Sequence, residues 1–288
     1  MLKKKKMSKM LAGLAAVVMA GSAVTATAPA ADAAPRNVVL FGDSMWSNGT
    51  GTFPSQMAEF WQGPGKVTGN APAEGRCKRG QVRVAASLQR QTGVKVEDYA
   101  CNGAVAYAPS NGDNNLKRQV DQAIGQGKLN GSTRAVFMNI GILDNIKAPG
   151  PINIQTRNFV DGVRPQVQRI KRAAPNAKIA FVGYPHIVDK YGTGCWIQTH
   201  ALQRVALTIP PVRMAQDAAQ HWQREAAKAA GVGWIDMEGP TRANGTCAPA
   251  NQRYVSGLVD NTSTPYNMTT HLTQVGNEGV ARILSRHI

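Results

Sequence analysis

The run Asn37-Val38-Val39-Leu40-Phe41 carries no charge and leads directly into Gly42-Asp43-Ser44. It has the length of a strand, and its lack of polar alternation fits a strand covered on both faces, as in a parallel sheet. Other β-branched or apolar runs of strand length follow at Val94 to Ala100, Ala135 to Ile140, Lys178 to Gly183 and Val232 to Met237, and most of them also lack alternation. Between them, Gln81 to Thr92, Asn115 to Ile124, Phe159 to Ala174 and Val212 to Ala230 carry apolar residues at helical spacing. Gly93 and Gly231 suit helix C-terminal stops, and Gly276 to His287 reads as a closing helix. Alternating strands and helices predict an α/β domain with helices on both faces of the sheet. Such sheets bind ligands just beyond the carboxyl ends of their strands, near a switch in strand order.

The chain has 288 residues, 43% hydrophobic and 17% charged, which excludes a disordered polypeptide. Its 33 Lys+Arg and 17 Asp+Glu give a net charge of +16, but part of that charge is gathered at the start. Lys3, Lys4, Lys5, Lys6 and Lys9 precede an alanine-rich apolar run from Met10 to about Ala26, and Ala31-Asp32-Ala33-Ala34 follows. This order is that of a secretory signal peptide. The run is short for a bilayer span and is broken by Gly13, Gly21 and Ser22. The expectation is a leader over residues 1–33 and a single domain over 34–288, with Ala34 an equally good cleavage point.

Losing five lysines and Asp32 takes 33 and 17 to 28 and 16, a net +12. No Arg/Lys stripe or nucleic-acid motif organises that charge, so no nucleic-acid partner is expected. It suits peripheral contact with an anionic envelope outside the cell. No repeat or long linker divides the chain, and a secreted monomer, extracellular or associated with the cell envelope, is the expectation.

Export bears on the cysteines. Cys77, Cys101, Cys195 and Cys247 are an even set in an oxidising compartment, which favours two disulfides. Of the three connectivities, local pairing of Cys77 with Cys101 and Cys195 with Cys247 is preferred. No C-x-x-C or His-rich spacing suggests a metal site.

A serine at the carboxyl edge of a sheet presents its hydroxyl where a bound carbonyl and backbone N–H groups can meet it. Ser44 is so placed, followed by a polar loop from Met45 to Thr52. A hydroxyl nucleophile needs a base, and the histidines are His186, His200, His221, His271 and His287. His287 adjoins the C-terminus, His221 falls on a helix surface, His200 lies in an irregular stretch, and His186 follows a strand end. His271 opens the last helical segment after a polar loop, Asp260 to Thr270. Two other strand ends carry polar clusters, Cys101-Asn102-Gly103-Ala104 and Gly141-Ile142-Leu143-Asp144-Asn145.

Taken together, Gly42-Asp43-Ser44, the Cys-x-Gly-Ala segment at Gly103, the Gly-x-x-Asp turn at Gly141 to Asp144 and His271-x-x-x-x-Gly276 resemble blocks I, II, III and V of SGNH hydrolases. These are also called GDSL lipases/esterases, and exported actinobacterial members look most similar. The resemblance implies a flavodoxin-like three-layer α/β/α sandwich with a mostly parallel five-stranded sheet. It also implies a serine ester hydrolase without metal or organic cofactor. Ser44 would be the nucleophile and His271 the base, with the N–H groups of Ser44 and Gly103 in the oxyanion hole.

Two positions depart from the pattern. The aspartate usually found three residues before the histidine is Met268, which leaves a backbone carbonyl, such as that of Met268, or Asp260 to orient the imidazole. The block III asparagine is Leu143, so Asn145 or Asn102 would have to supply the third oxyanion donor. Trp46 and Tyr107 are candidates both for packing and for lining an acyl or sugar site.

The expected substrate is a carboxylic ester of a lipid or an acylated glycan, cleaved through an acyl-enzyme. The alternatives are an acyltransferase or deacetylase acting on envelope lipids or glycans, and a catalytically weakened envelope-binding relative.

Overall fold

The structure is a computed structural model, which describes residues 36–49, 70–71, 77, 79–80, 82–110, 114–200, 204–263 and 268–288. The expected leader, residues 50–52 of the loop after Ser44 and residues 264–267 of the loop before His271 lie outside them. Contacts group Ala34–Ile288 into one unit, and the description below concerns that unit alone.

Strand β1 (Asn37–Gly42) is buried along its whole length. Val38 and Leu40 pack in one cluster with Val84 and Leu88 of α2 (Val84–Thr92) and Val280 and Leu284 of α7 (Gln274–Ser285). Val39 and Phe41 face the other way, toward α3 (Leu116–Gly125), α5 (Ile152–Ala173) and α6 (Pro210–Ala230), where Val120, Phe159 and Trp222 pack. Successive strand residues point to opposite faces, so a sheet covered on both sides calls for apolar residues at every position. The result is a three-layer α/β/α sandwich.

The central sheet has the order β4-β1-β5-β6-β9, with β4 (Lys95–Asp98), β5 (Thr133–Asn139), β6 (Lys178–Val182) and β9 (Gly233–Ile235). Every pairing in it is parallel. The chain steps from β1 to β4 on one side and then crosses to β5 on the other, so the order reverses at β1. Counted within this sheet the order is 2-1-3-4-5, the flavodoxin-like arrangement, whose ligands bind at the reversal.

A second sheet, β10-β7-β8, was not anticipated. Strand β7 (Thr193–Gln198) pairs antiparallel with β8 (Val205–Thr208) and parallel with β10 (Val259–Asp260). Cys195 of β7 is bonded to Cys247, and Cys77 to Cys101. Strands β2 (Asn70–Ala71) and β3 (Arg79–Gly80) form a two-residue ladder. Helices α1 (Ser44–Ser47) and α4 (Ile142–Lys147) are too short to leave a periodic signal, and α5 starts earlier than its apolar spacing suggested. Among the described residues, no helix is long and apolar enough to cross a membrane.

The start of α7 fixes the segment that carries His271. Thr273 caps the helix, its Oγ1 accepting from Gly276 N at 3.0 Å, while Thr273 N donates to Tyr254 O. A Cβ on residue 276 would lie 2.1 Å from that same carbonyl oxygen, so only glycine allows this approach. Gly276→Ala is therefore expected to lose about 1–3 kcal/mol of stability in urea denaturation, although alanine is the better helix former.

Candidate active site

Ser44 is the first residue of α1, immediately past the end of β1. Asp43 caps the turn, its Oδ1 accepting from Met45 N at 2.9 Å, and Asp43 N donates to Asn139 O of β5 at 3.1 Å. The serine thus stands between β1 and β5, where the strand order reverses.

His271 meets it from the far end of the chain. Nε2 lies 2.8 Å from Ser44 Oγ, and Nδ1 lies 2.8 Å from the backbone carbonyl of Thr269. A carbonyl only accepts, so the proton belongs on Nδ1, and Nε2 is left to accept the serine hydroxyl. Burial pushes the His271 pKa below its ordinary value, with the Thr269 carbonyl opposing the shift only in part. The neutral imidazole is the form that can take a proton from serine.

One buried amide ties the two segments together. Asn48 ends α1 in the left-handed conformation (φ 43°), which asparagine tolerates better than most residues. Its Nδ2 donates to Val82 O at 2.8 Å and to Leu272 O at 3.4 Å, and its Oδ1 accepts from Met268 N at 3.0 Å. The serine turn is thereby fastened on both sides of His271.

Neither residue named from the sequence for orienting the imidazole, Met268 through its carbonyl or Asp260, lies on Nδ1; the backbone carbonyl there is that of Thr269. Met268 O instead accepts from Ser256 Oγ and His271 N, so it faces away from the ring nitrogen. Asp260 is buried in an ion pair with Arg253 at 2.7 Å and accepts from Thr262 and Ser263. Burial opposes its ionisation, but Arg253 and these donors outweigh burial and hold the carboxyl below its usual range. Thr270, between the carbonyl and the histidine, has φ 63°, rare for a β-branched residue. Its Oγ1 donates to Thr269 O at 2.6 Å and its N–H to Gly257 O, which hold the turn in place.

The backbone N–H groups of Ser44 and Gly103 have no acceptor among the described residues. Gly103 takes φ 76°, and its loop is bound to β1 through Cys101 N donating to Gly42 O. Lys147 Nζ donates to Gly103 O at 3.1 Å, while Asp144 accepts from the N–H groups of Ala106, Tyr107 and Ala108. These two residues anchor α4 onto the Gly103 loop. Asn102 does not fit the part of a donor: its Oδ1 accepts from Ser47 Oγ and Gly49 N, and its Nδ2 lies against Met268 Sδ. Asn145 lines the cavity beside Ser44, and its amide has no hydrogen-bond partner among the described residues.

Below the serine, Tyr184 donates to Asp43 Oδ2 and accepts from Ile142 N at 3.1 Å, joining the end of β6 to α1 and α4. Burial raises the Asp43 carboxyl to about 7, with the Tyr184 hydrogen bond pulling against it, and also raises Asp144. No group of three or more His, Cys, Asp or Glu among the described residues is arranged to hold a metal ion.

Ser44, Thr270 and His271 form the polar end of a cavity of about 350 Å³. Its walls are apolar, from Ile142, Leu143 and Ile146 of α4, Pro211 and Val212 of α6, and Trp196 of the second sheet. Trp46 is buried in the core and Tyr107 packs edge-on to Phe159 and Trp222, so both are packing residues. The wall tryptophan, Trp196, was missed because it lies in the unanticipated sheet. His186 lines a separate cavity, and His200, His221 and His287 are exposed.

The chain matches the GDSL-like lipase/acylhydrolase family over residues 40–278. Among curated proteins, none matches it in sequence. Its fold resembles that of phospholipase A1 from Streptomyces albidoflavus NA297, with TM-score 0.54 and 18% identity over 88% of this chain and 99% of that one. The extracellular lipase of Streptomyces rimosus is similar, with TM-score 0.54 and 18% identity over 88% of this chain and all (100%) of that one. A family two carbohydrate esterase from Clostridium thermocellum gives TM-score 0.52 and 13% identity, covering 88% of this chain and 63% of that one. Identities this low speak for the fold alone.

Tyr184→Phe would leave Asp43 Oδ2 without its donor and Ile142 N without its acceptor. A loss of about 1–3 kcal/mol is expected in denaturant titrations. An acid whose folded pKa is raised stabilises most below its unfolded pKa and loses that contribution as pH rises through the folded value. Because the Tyr184 hydrogen bond favours the ionised form of Asp43, the defect should deepen as pH rises above about 7, where the carboxylate lacks the phenol proton.

Proposed function

The chain belongs to the GDSL-like lipase/acylhydrolase family, and from that premise we propose that it hydrolyses carboxylic esters through an acyl-enzyme on Ser44. The carrying observation is the 2.8 Å contact between Ser44 Oγ and His271 Nε2, with Nδ1 held on a carbonyl. Ser44 Oγ attacks the ester carbonyl while its proton passes to Nε2. The tetrahedral intermediate collapses as that proton moves to the departing alkoxide oxygen, which leaves as alcohol. Water then attacks the acyl-enzyme, giving its proton to Nε2, and the proton returns to Ser44 Oγ as free acid departs. The machinery is a dyad oriented by the Thr269 carbonyl.

The N–H groups of Ser44 and Gly103 act as oxyanion donors, and the Asn145 amide acts in place of the family asparagine. Their lack of other acceptors among the described residues supports this reading. The apolar cavity walls support an ester with an extended acyl chain over an acetyl ester. The two Streptomyces neighbours are a phospholipase A1 and a lipase, which agrees with that class. Residues 1–33 act as a leader removed on export, a reading supported by the two disulfides.

Ser44→Ala and His271→Ala should each lower kcat/KM on an activated ester by about 10³-fold or more with folding intact; undiminished hydrolysis by Ser44→Ala would overturn the assignment. Because the base must be neutral and its pKa is lowered, kcat/KM should rise to a plateau with a midpoint below about 6.5, the ordinary histidine value. Over a series from acetyl to dodecanoyl esters, kcat/KM should rise with chain length. Asn145→Ala should lower kcat with little change in KM.

A further inference from the structure

The acyl cavity opens beside an apolar surface that the reaction chemistry does not use. Strand β8 is exposed at all four positions and sits at the edge of the second sheet. Val205 and Leu207 share one face of the strand, with Leu207 45% exposed. This strand adjoins the cavity directly: Leu207 O accepts from Nε1 of the wall residue Trp196, and Pro210-Pro211 follow it into α6. One turn along, Met214 is 66% exposed, and Ile146 of the opposite wall is 67% exposed although it lines the cavity. Ile209 N donates to Gly192 O, which brings the Lys190-Tyr191 turn alongside, with Tyr191 64% exposed. Isolated exposed apolar side chains are ordinary, but here they continue the cavity wall outward.

Exposed cations outnumber unpaired acids around this surface. Lys147 adjoins Ile146, Arg204 precedes Val205, and Lys190 lies over the Tyr191 ring; all three are exposed. Of the neighbouring acids, Asp217 pairs with Arg213, while Asp189 accepts from the N–H groups of Tyr191 and Thr193 and keeps its charge beside Lys190. Apolar side chains, an aromatic ring and flanking cations together fit the interface of an anionic bilayer, where rings lie at headgroup depth and cations meet anionic lipid.

We propose that β8, the Lys190-Tyr191 turn and the first turns of α6 dock the protein on an anionic lipid bilayer. An acyl chain can then pass from the bilayer along an apolar path to Ser44. The proposal rests on the ester-hydrolase reading for its purpose, but the docking surface can be tested without turnover.

The test uses the unit starting at Ala34, free of the lysine-rich leader, in co-sedimentation with two kinds of vesicle: phosphatidylcholine alone, and phosphatidylcholine mixed with phosphatidylglycerol. The unsubstituted protein should partition preferentially onto the anionic vesicles. Leu207→Thr combined with Met214→Gln should weaken that partition by roughly tenfold or more, given the apolar area removed. The same variant should keep its melting temperature and its hydrolysis of a soluble short-chain ester. Lys190→Glu with Arg204→Glu should abolish the preference for anionic vesicles, together with the weakening of that preference by salt. Failure of the unsubstituted protein to bind either vesicle, or equal binding by the apolar variant, would overturn the proposal. So would a dimer in size-exclusion chromatography that the apolar variant dissolves, since the surface would then cover a second copy. Vesicle binding without any ester hydrolysis would overturn the enzymatic reading and leave docking standing.

Discussion

The site depends on one buried amide. Ser44 and His271 lie near opposite ends of the chain, and Asn48 holds their segments in register through hydrogen bonds to Leu272 O and from Met268 N. A third bond, to Val82 O, fixes the same side chain to the approach of α2. In a protein interior, such a group is strongly held because any unmade bond there exposes a desolvated polar atom. The proposed nucleophile is carried by β1, the most deeply enclosed strand of the sheet, so the amide in effect sets the histidine against the rigid core.

Around that fixed pair, the acidic side chains are kept away from the imidazole. Asp43 is capped by Met45 N and Tyr184, Asp144 by three successive N–H groups, and Asp260 by Arg253. Asp43 and Asp144 join loops from different strands, while Asp260 ties together the segment around its own strand. The imidazole is left with a neutral partner, which gives an imidazolium less stabilisation than a carboxylate would. It also leaves less negative charge close to the place where an oxyanion would form, and burial further shifts Asp43 toward its neutral form.

How much of this the sequence disclosed follows from the range of the interactions involved. The inner strands were legible because burial on both faces imposes an unbroken apolar pattern within a few residues, as in Val38 to Phe41, whereas the edge strand β4, Lys95–Asp98, is charged and only half-buried. Ser44 and His271 were legible through their neighbours Gly42 and Gly276, although only the structure reveals that Tyr254 excludes a side chain at 276. The second sheet was hidden because β8 is exposed at all four positions and leaves no burial pattern, and because β10 pairs with β7 from a distant part of the chain. Asn102 and Asn145 are the same residue type in similar polar turns, and only three-dimensional context gives one to Ser47 and Gly49 and the other to the cavity.

The carbonyl of Thr269 has a different kind of invisibility. Every amino acid brings the same carbonyl, so no codon change at position 269 can delete it, and no motif search can find it. What heredity can alter is the bend that aims it, and that bend belongs to Thr270, with its left-handed backbone and its hydroxyl on the same oxygen. Variation that in a Ser-His-Asp enzyme would fall on an aspartate is displaced here onto the shape of a turn. Loss of the orienting group would therefore come by degrees, as the turn relaxes, where removal of a carboxylate would come in one step.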